Sequence, residues 1–133
     1  MIKLSKKVEY ALLALQYMGA RAPDLVSAKE MSESLNISFE FLSKTLQTLM
    51  KGGFVMSHQG IKGGYTLIKK PEDINIASVI LALDMKHGIV ECMINEDNES
   101  CFRVEECSIR KPMARLQKKI DDIFYKTTIS ELS

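Results

Sequence analysis

Three cysteines, Cys92, Cys101 and Cys107, fall within sixteen residues in the pattern C-x8-C-x5-C. Thiolates are soft ligands favoured by iron-sulfur clusters and zinc, and drawing several from one segment lowers the entropy of assembling a site. An odd cysteine count without a secretory context argues against a disulfide framework, which leaves metal binding or thiol chemistry. A fourth ligand is missing locally. A carboxylate or imidazole from elsewhere in the chain or from a second subunit would supply it, and Glu9, His87 and His58 are the candidates. The same segment carries Glu91, Glu96, Asp97, Glu99, Glu105 and Glu106 against the single Arg103. That negative charge disfavours free thiolates and so weighs against a nucleophilic cysteine.

No other catalytic set is visible. His58 and His87 have no motif linking them to a nucleophile, and they read as an ordinary strand residue and a surface residue. The glycines from Gly60 to Gly64 lack the Gly-Lys-Ser/Thr ending of a phosphate loop. An enzyme is not expected.

The elements that must position these residues follow from periodicity. Val8, Ala11, Leu12, Leu15 and Met18 recur at three and four residues, which predicts a helix from Lys6 to Ala20, broken by the turn from Arg21 to Asp24. Ser27 and Glu30 form an S-x-x-E capping box, in which each side chain accepts a backbone donor, opening a second helix that ends near Leu35 and Asn36. Ser38 caps a third, with Leu42, Leu46 and Leu49 in phase, running to Lys51 and stopped by Gly52 and Gly53. Two short helices so closely spaced make a helix-turn-helix. Phe54 to His58 and Tyr65 to Ile68 then read as strands joined by a glycine-rich tip, a wing. Ile74 to Leu83 predicts another helix with Asn75 as its cap, and residues 85 to 111 form a loop holding the cysteines. From Pro112 to Lys126 a last helix carries Met113, Leu116, Ile120 and Ile123 as an a/d-like seam. That seam packs either on its own domain or on a second copy.

The fold class expected is therefore mainly α with a small β-hairpin, a winged helix-turn-helix followed by a long C-terminal dimerisation helix. Residues 1–84 form the DNA-binding region, 85–111 the cysteine loop, and 112–133 the dimerisation helix and closing segment, within one compact domain. If the third helix enters a major groove, Ser38, Glu40, Ser43, Lys44 and Gln47 face base edges or phosphates, with Lys51 on phosphate. The wing adds Gln59 and Lys62. Each feature alone is an ordinary amphipathic face or turn; their order is the specific signal.

Length and charge agree. At 133 residues and 46% hydrophobic, the chain is one domain with a real core. Its net charge of +1 conceals an asymmetry: residues 1–70 carry ten Lys/Arg against five Asp/Glu, and residues 71–133 carry eight against twelve. The basic half is the candidate surface for a polyanion. Neither a leader nor an apolar run long enough to span a membrane is seen, so a cytoplasmic protein is expected.

The chain resembles the IscR/NsrR-type family of bacterial winged-helix transcription regulators, which sense iron-sulfur status or nitric oxide. The likeness runs through Leu4-Ser5-Lys6 with Tyr10-Ala11, the segment Ile37 to Leu42, the wing end Gly63 to Leu67, Val79 to Asp84, the three-cysteine loop and the closing Thr128 to Leu132. The resemblance implies a homodimer on a palindromic operator in double-stranded DNA, with affinity set by an iron-sulfur cluster on Cys92, Cys101 and Cys107. It also implies a fourth ligand from an acidic residue in the first helix of the partner, a place that Glu9 occupies. There are departures. The first cysteine interval is longer than in the better-known members, and Arg110 stands where the biogenesis regulator has a ligand histidine. Gln59 and Ser43 replace its minor-groove arginine and specificity glutamate, so operator sequence does not transfer. A winged-helix regulator or interaction module with a thiol switch or a zinc site is the alternative.

Overall fold

The computed structural model describes residues 4–61, 63–83 and 108–132. The apolar stripe of the first helix organises it. Helix α1 (Lys6–Arg21) buries Val8, Ala11, Ala14, Leu15 and Met18, and Ser5 caps it by accepting from the Val8 N–H. Helix α3 (Phe39–Lys51) brings Leu42, Leu46 and Leu49 to the same core, and α4 (Ile76–Leu83) brings Ile76, Val79 and Ile80. Burying each such side chain contributes about 1.5–3 kcal/mol, so this packing outweighs any single cap. Thr45 is the buried polar residue of the described core, satisfied because its hydroxyl donates to the Phe41 carbonyl at 2.9 Å.

Helix α2 (Ala28–Leu35) starts where the capping pattern places it, but half of the box is diverted. Ser27 Oγ accepts from the Glu30 N–H at 3.0 Å. The Glu30 carboxylate, instead of turning back to the cap, accepts from the Tyr17 hydroxyl at 2.7 Å and lies 3.9 Å from Arg21 Nε. The cause is tertiary: α2 packs on α1, whose last turn offers Tyr17 with the Arg21 guanidinium 3.5 Å over its ring. The S-x-x-E pattern thus makes one local bond and one brace between helices.

Strands β1 (Val55–His58) and β2 (Gly64–Leu67) pair antiparallel, with Val55 opposite Leu67 and His58 opposite Gly64. The hairpin does not stand alone. Val26, just before α2, pairs with Tyr65: the Tyr65 N–H donates to the Val26 carbonyl at 2.8 Å and the Val26 N–H to the Tyr65 carbonyl at 3.1 Å. Gly64 makes this approach possible, since a Cβ there would lie 2.8 Å from the Val26 carbonyl oxygen.

A 3-10 turn (Pro71–Asp73) leads into α4, where the Asn75 side chain accepts from the Ser78 N–H at 2.8 Å. The helix starts at Ile76 rather than Ile74, because Ile74 is buried in extended backbone and its carbonyl accepts from the Ile129 N–H. The last helix, α5 (Arg110–Lys126), starts two residues before Pro112, which still falls in the first turn where a missing N–H leaves no bond unmade. A closing 3-10 turn (Ile129–Leu132) plugs buried Ile129 into the core.

The α5 seam divides. Met113 and Ile120 are half-buried on the side of α5 that also places Phe124 against the core, with α4 as its packing neighbour. Leu116 and Ile123 are exposed at 43% and 62%, and none of the seventeen residues of α5 is buried. The observed architecture is the expected one, mainly helical with a two-stranded antiparallel hairpin. No helix among the described residues is long and apolar enough to cross a membrane.

Because the Val26 backbone cannot yield cheaply, Gly64→Ala is expected to cost about 2 kcal/mol of stability by overpacking. Urea unfolding checks this; a midpoint equal to that of the parent would mean that the hairpin seat is looser than its geometry.

Candidate nucleic-acid interface

The turn between α2 and α3 is fixed locally before any partner arrives. Asn36 ends α2 in the left-handed region at φ 55°, a conformation that its short polar side chain tolerates. Ser32 locks the turn from both sides, its hydroxyl donating to the Ile37 carbonyl at 2.7 Å and its carbonyl accepting from the Ile37 N–H at 3.1 Å. Ile37 and Leu42, on either side of the cap, are both buried, the N′ and N4 positions of a hydrophobic staple.

Helix α3 therefore presents a defined outer face. Glu40, Lys44, Gln47 and Lys51 are exposed along it, and Ser43 is half-buried beside them. Ser38 is exposed, but its Oγ already accepts from the Phe41 N–H at 3.2 Å, so its hydroxyl has its proton left to offer to an outside acceptor. Neither Lys44 nor Lys51 shares an ion pair with a carboxylate among the described residues, unlike Lys6 with Glu9 and Arg21 with Glu30. In the wing, Gln59 is exposed at the tip with Gly60 and a fully exposed Ile61, while Lys62 lies outside the described residues. His58, read as an ordinary strand residue, places Nε2 2.9 Å from the Thr66 hydroxyl across the hairpin.

The cysteine side of the expected site lies elsewhere. Cys92, Cys101 and Cys107, with His87, fall outside the described residues. Among the described residues no three His, Cys, Asp or Glu side chains gather as a metal site. Glu9 stands on the exposed side of α1, its carboxylate 3.1 Å from Lys6 Nζ, a contact that raises the Lys6 pKa through hydrogen bonding and charge. It also edges a shallow groove of about 350 Å³ with Leu12, Leu13, Gln16 and Leu132. The sequence reading missed Phe39 and Ile61 as exposed apolar groups at the start of α3 and at the wing tip. For Phe39 no signal existed: it stands three residues before Leu42 and seven before Leu46, in phase with the buried leucines, and is exposed because it lies at the very start of the helix.

Comparison with known proteins decides the family. The Rrf2 family, described as iron-dependent transcriptional regulators, matches residues 4–133. The chain belongs to the Rrf2 family. Among Rrf2-type relatives, the chain is 35% identical to protein rrf2 of Nitratidesulfovibrio vulgaris over 112 residues, covering 82% of this chain and 72% of that protein. It is also 35% identical to the helix-turn-helix transcriptional regulator NsrR of Bacillus subtilis over 110 residues, covering 82% and 75%. The solved structure of CymR, the global cysteine regulator of B. subtilis, superposes with a TM-score of 0.81 at 26% identity, covering 99% of this chain and 96% of that one. Rrf2 proteins are DNA-binding transcription regulators rather than enzymes, and this chain is one of them.

If α3 is the helix by which this Rrf2 protein meets DNA, Lys44, one turn into its exposed face and with no carboxylate partner among the described residues, is expected to meet phosphate. Lys44→Ala should then weaken binding alike on all DNA sequences and lower the slope of log affinity against log salt by about one unit. A titration across salt concentrations measures the slope, and an unaltered value would place Lys44 away from the backbone.

Proposed function

We propose that this Rrf2 protein is a homodimer that grips a palindromic operator through α3 and the wing, with an affinity set by an iron-sulfur cluster on Cys92, Cys101 and Cys107. The observation that carries the reading is the match of residues 4–133 to a family described as iron-dependent, in a chain whose three cysteines are spaced C-x8-C-x5-C. Three thiolates from one segment suit a cluster chemically. Glu9, exposed on α1 and able to leave its surface pairing with Lys6, is the proposed fourth ligand, supplied across the dimer. When bound, such a cluster supplies a redox couple and a framework that oxidation or nitric oxide can disrupt.

The residues of the chain supply the rest. The exposed stripe of α5, with Leu116 and Ile123, pairs with its twin and sets the two α3 helices at the separation of about 34–36 Å that one DNA turn requires. Ser38, Glu40, Ser43, Lys44, Gln47 and Lys51 face the groove and backbone, and Gln59 and Lys62 extend the contact from the wing. Residues 84–109 join α4 to α5, so a change in how the thiolates hold that segment would alter both neighbours. We further assign residues 1–84 to DNA binding, 85–111 to sensing and 112–133 to dimerisation. Coupling between sensing and DNA is reciprocal and of the order of about 5- to 150-fold in affinity.

A second reading has a specific support, the similarity to a structure described as a global cysteine regulator. There the cysteines act as thiols and the regulatory signal is a sulfur compound or oxidant.

Anaerobic purification with iron and acid-labile sulfide analysis separates the two. We expect both elements in the isolated protein, their loss in Cys92→Ala, and a changed operator affinity when the cluster is removed. A protein free of iron and sulfide even after reconstitution, whose DNA affinity responds instead to thiol oxidation, would favour the second reading; zinc in place of iron would exclude a cluster. For the assembly, Leu116→Glu with Ile123→Glu is expected to convert a dimer to a monomer in sedimentation velocity without unfolding it, since both side chains already face solvent in the protomer. A dimer that survives the double change would move the interface off this stripe.

A further inference from the structure

Phe39 is the first residue of α3 and is 55% exposed. The buried stripe of α3 is Leu42, Thr45, Leu46 and Leu49; Phe39 continues its line toward the start of the helix but stands beyond its buried end, in solvent. Its aromatic neighbour is accounted for, because the Phe41 ring meets Tyr10 edge-on with centroids 5.7 Å apart. The Phe39 ring has no such aromatic or cationic partner among the described residues and does not belong to the shell packed on the core. Ser38 pins the first turn through the Phe41 N–H, and Ile37 anchors the residue before it, so the backbone that carries this ring is held in place. A large apolar side chain is thus fixed in water at the end of the helix whose first residues, in helix-turn-helix proteins, approach base edges.

In the major groove the apolar feature of a base edge is the thymine 5-methyl group, and phenylalanine is among the side chains that contact it. The polar neighbours Ser38, Glu40 and Ser43 can exchange hydrogen bonds with base edges, but none offers a methyl group an apolar surface of comparable area. We propose that Phe39 is a specificity-determining residue that reads a thymine in each half-site by seating its 5-methyl group against the ring. The proposal rests on α3 being the reading helix. It assigns to Phe39 a discrimination between thymine and the other bases that the polar face alone does not provide.

The test removes the methyl group from the DNA as well as the ring from the protein. Duplexes enriched by the full-length protein from random DNA are resynthesised with each thymine replaced singly by deoxyuridine, which lacks the 5-methyl and keeps the pairing edge. At one symmetry-related position per half-site, each missing methyl is expected to weaken binding about fourfold, the effect of one buried methyl group. Phe39→Ala should bind the thymine and uracil duplexes equally, and Phe39→Leu should keep part of the difference. The proposal is overturned if the parent protein is indifferent at every thymine, or if Phe39→Ala retains the same discrimination. Failure of the underlying reading looks different: if α3 were not the reading helix, Lys44→Ala and Phe39→Ala would both bind as the parent does. If only the role of Phe39 is wrong, Lys44→Ala still weakens binding and a sequence is still enriched.

Discussion

Everything in this protein leans on one buried face of α1. Ala11 and Ala14 are fully covered there, and their small side chains leave room for helices on both sides while Val8, Leu15 and Met18 fill the ends. α2, α3 and α4 all pack on this helix, and β2 reaches it as well. The orientation of α3, and with it the direction in which Lys44 and Gln47 point, is therefore set by apolar contacts on the opposite side of α3, through Leu42, Leu46 and Leu49. A DNA-reading surface can be polar and charged because its position has been settled by residues that never touch DNA.

The features legible in the sequence are those governed by short-range rules. Ser27, Ser38 and Asn75 all cap helices, because a side-chain oxygen three residues before an unpaired N–H needs no help from the rest of the fold. The outer face of α3 was legible for a related reason, since a helical period of leucines fixes which residues are left outside. What the sequence did not show depends on contacts between distant residues. Glu30 leaves its capping box because Tyr17 and Arg21, on another helix, offer a better partner. The Val26–Tyr65 pairing and the seat of Ile129 beside Ile74 join segments far apart in the chain. The α5 seam read as one stripe, yet its members split between α4 and solvent, a division that only the position of α4 determines. As for residues 85–111, the chemistry of the cysteines and their spacing were visible, but spacing alone does not fix a ligand geometry.

The wing illustrates how position is exchanged between the two halves of the proposed DNA-facing surface. Its second strand is bonded through Tyr65 to Val26, at the entry to α2, and α2 in turn is tied to α1 by the Tyr17–Glu30 contact. Hairpin and helix-turn-helix thus share one backbone junction, and α3 and the wing hold a fixed relation to each other while the tip, with Gln59 and Gly60, extends beyond the paired strands.

The closing segment has a mechanical consequence. Thr127 accepts from the Ile76 N–H and Ile129 donates to Ile74, so the C-terminal end of α5 is clamped to the base of α4, whereas its other end continues into the residues that carry the cysteines. A helix of seventeen residues held at that end and packed on α4 along one side is a lever about 25 Å long. A push of about 2 Å at its loaded tip, within the usual range of helix shifts, tilts the beam by only about 5°. Any twin lying along that beam would be turned through the pivot rather than carried sideways.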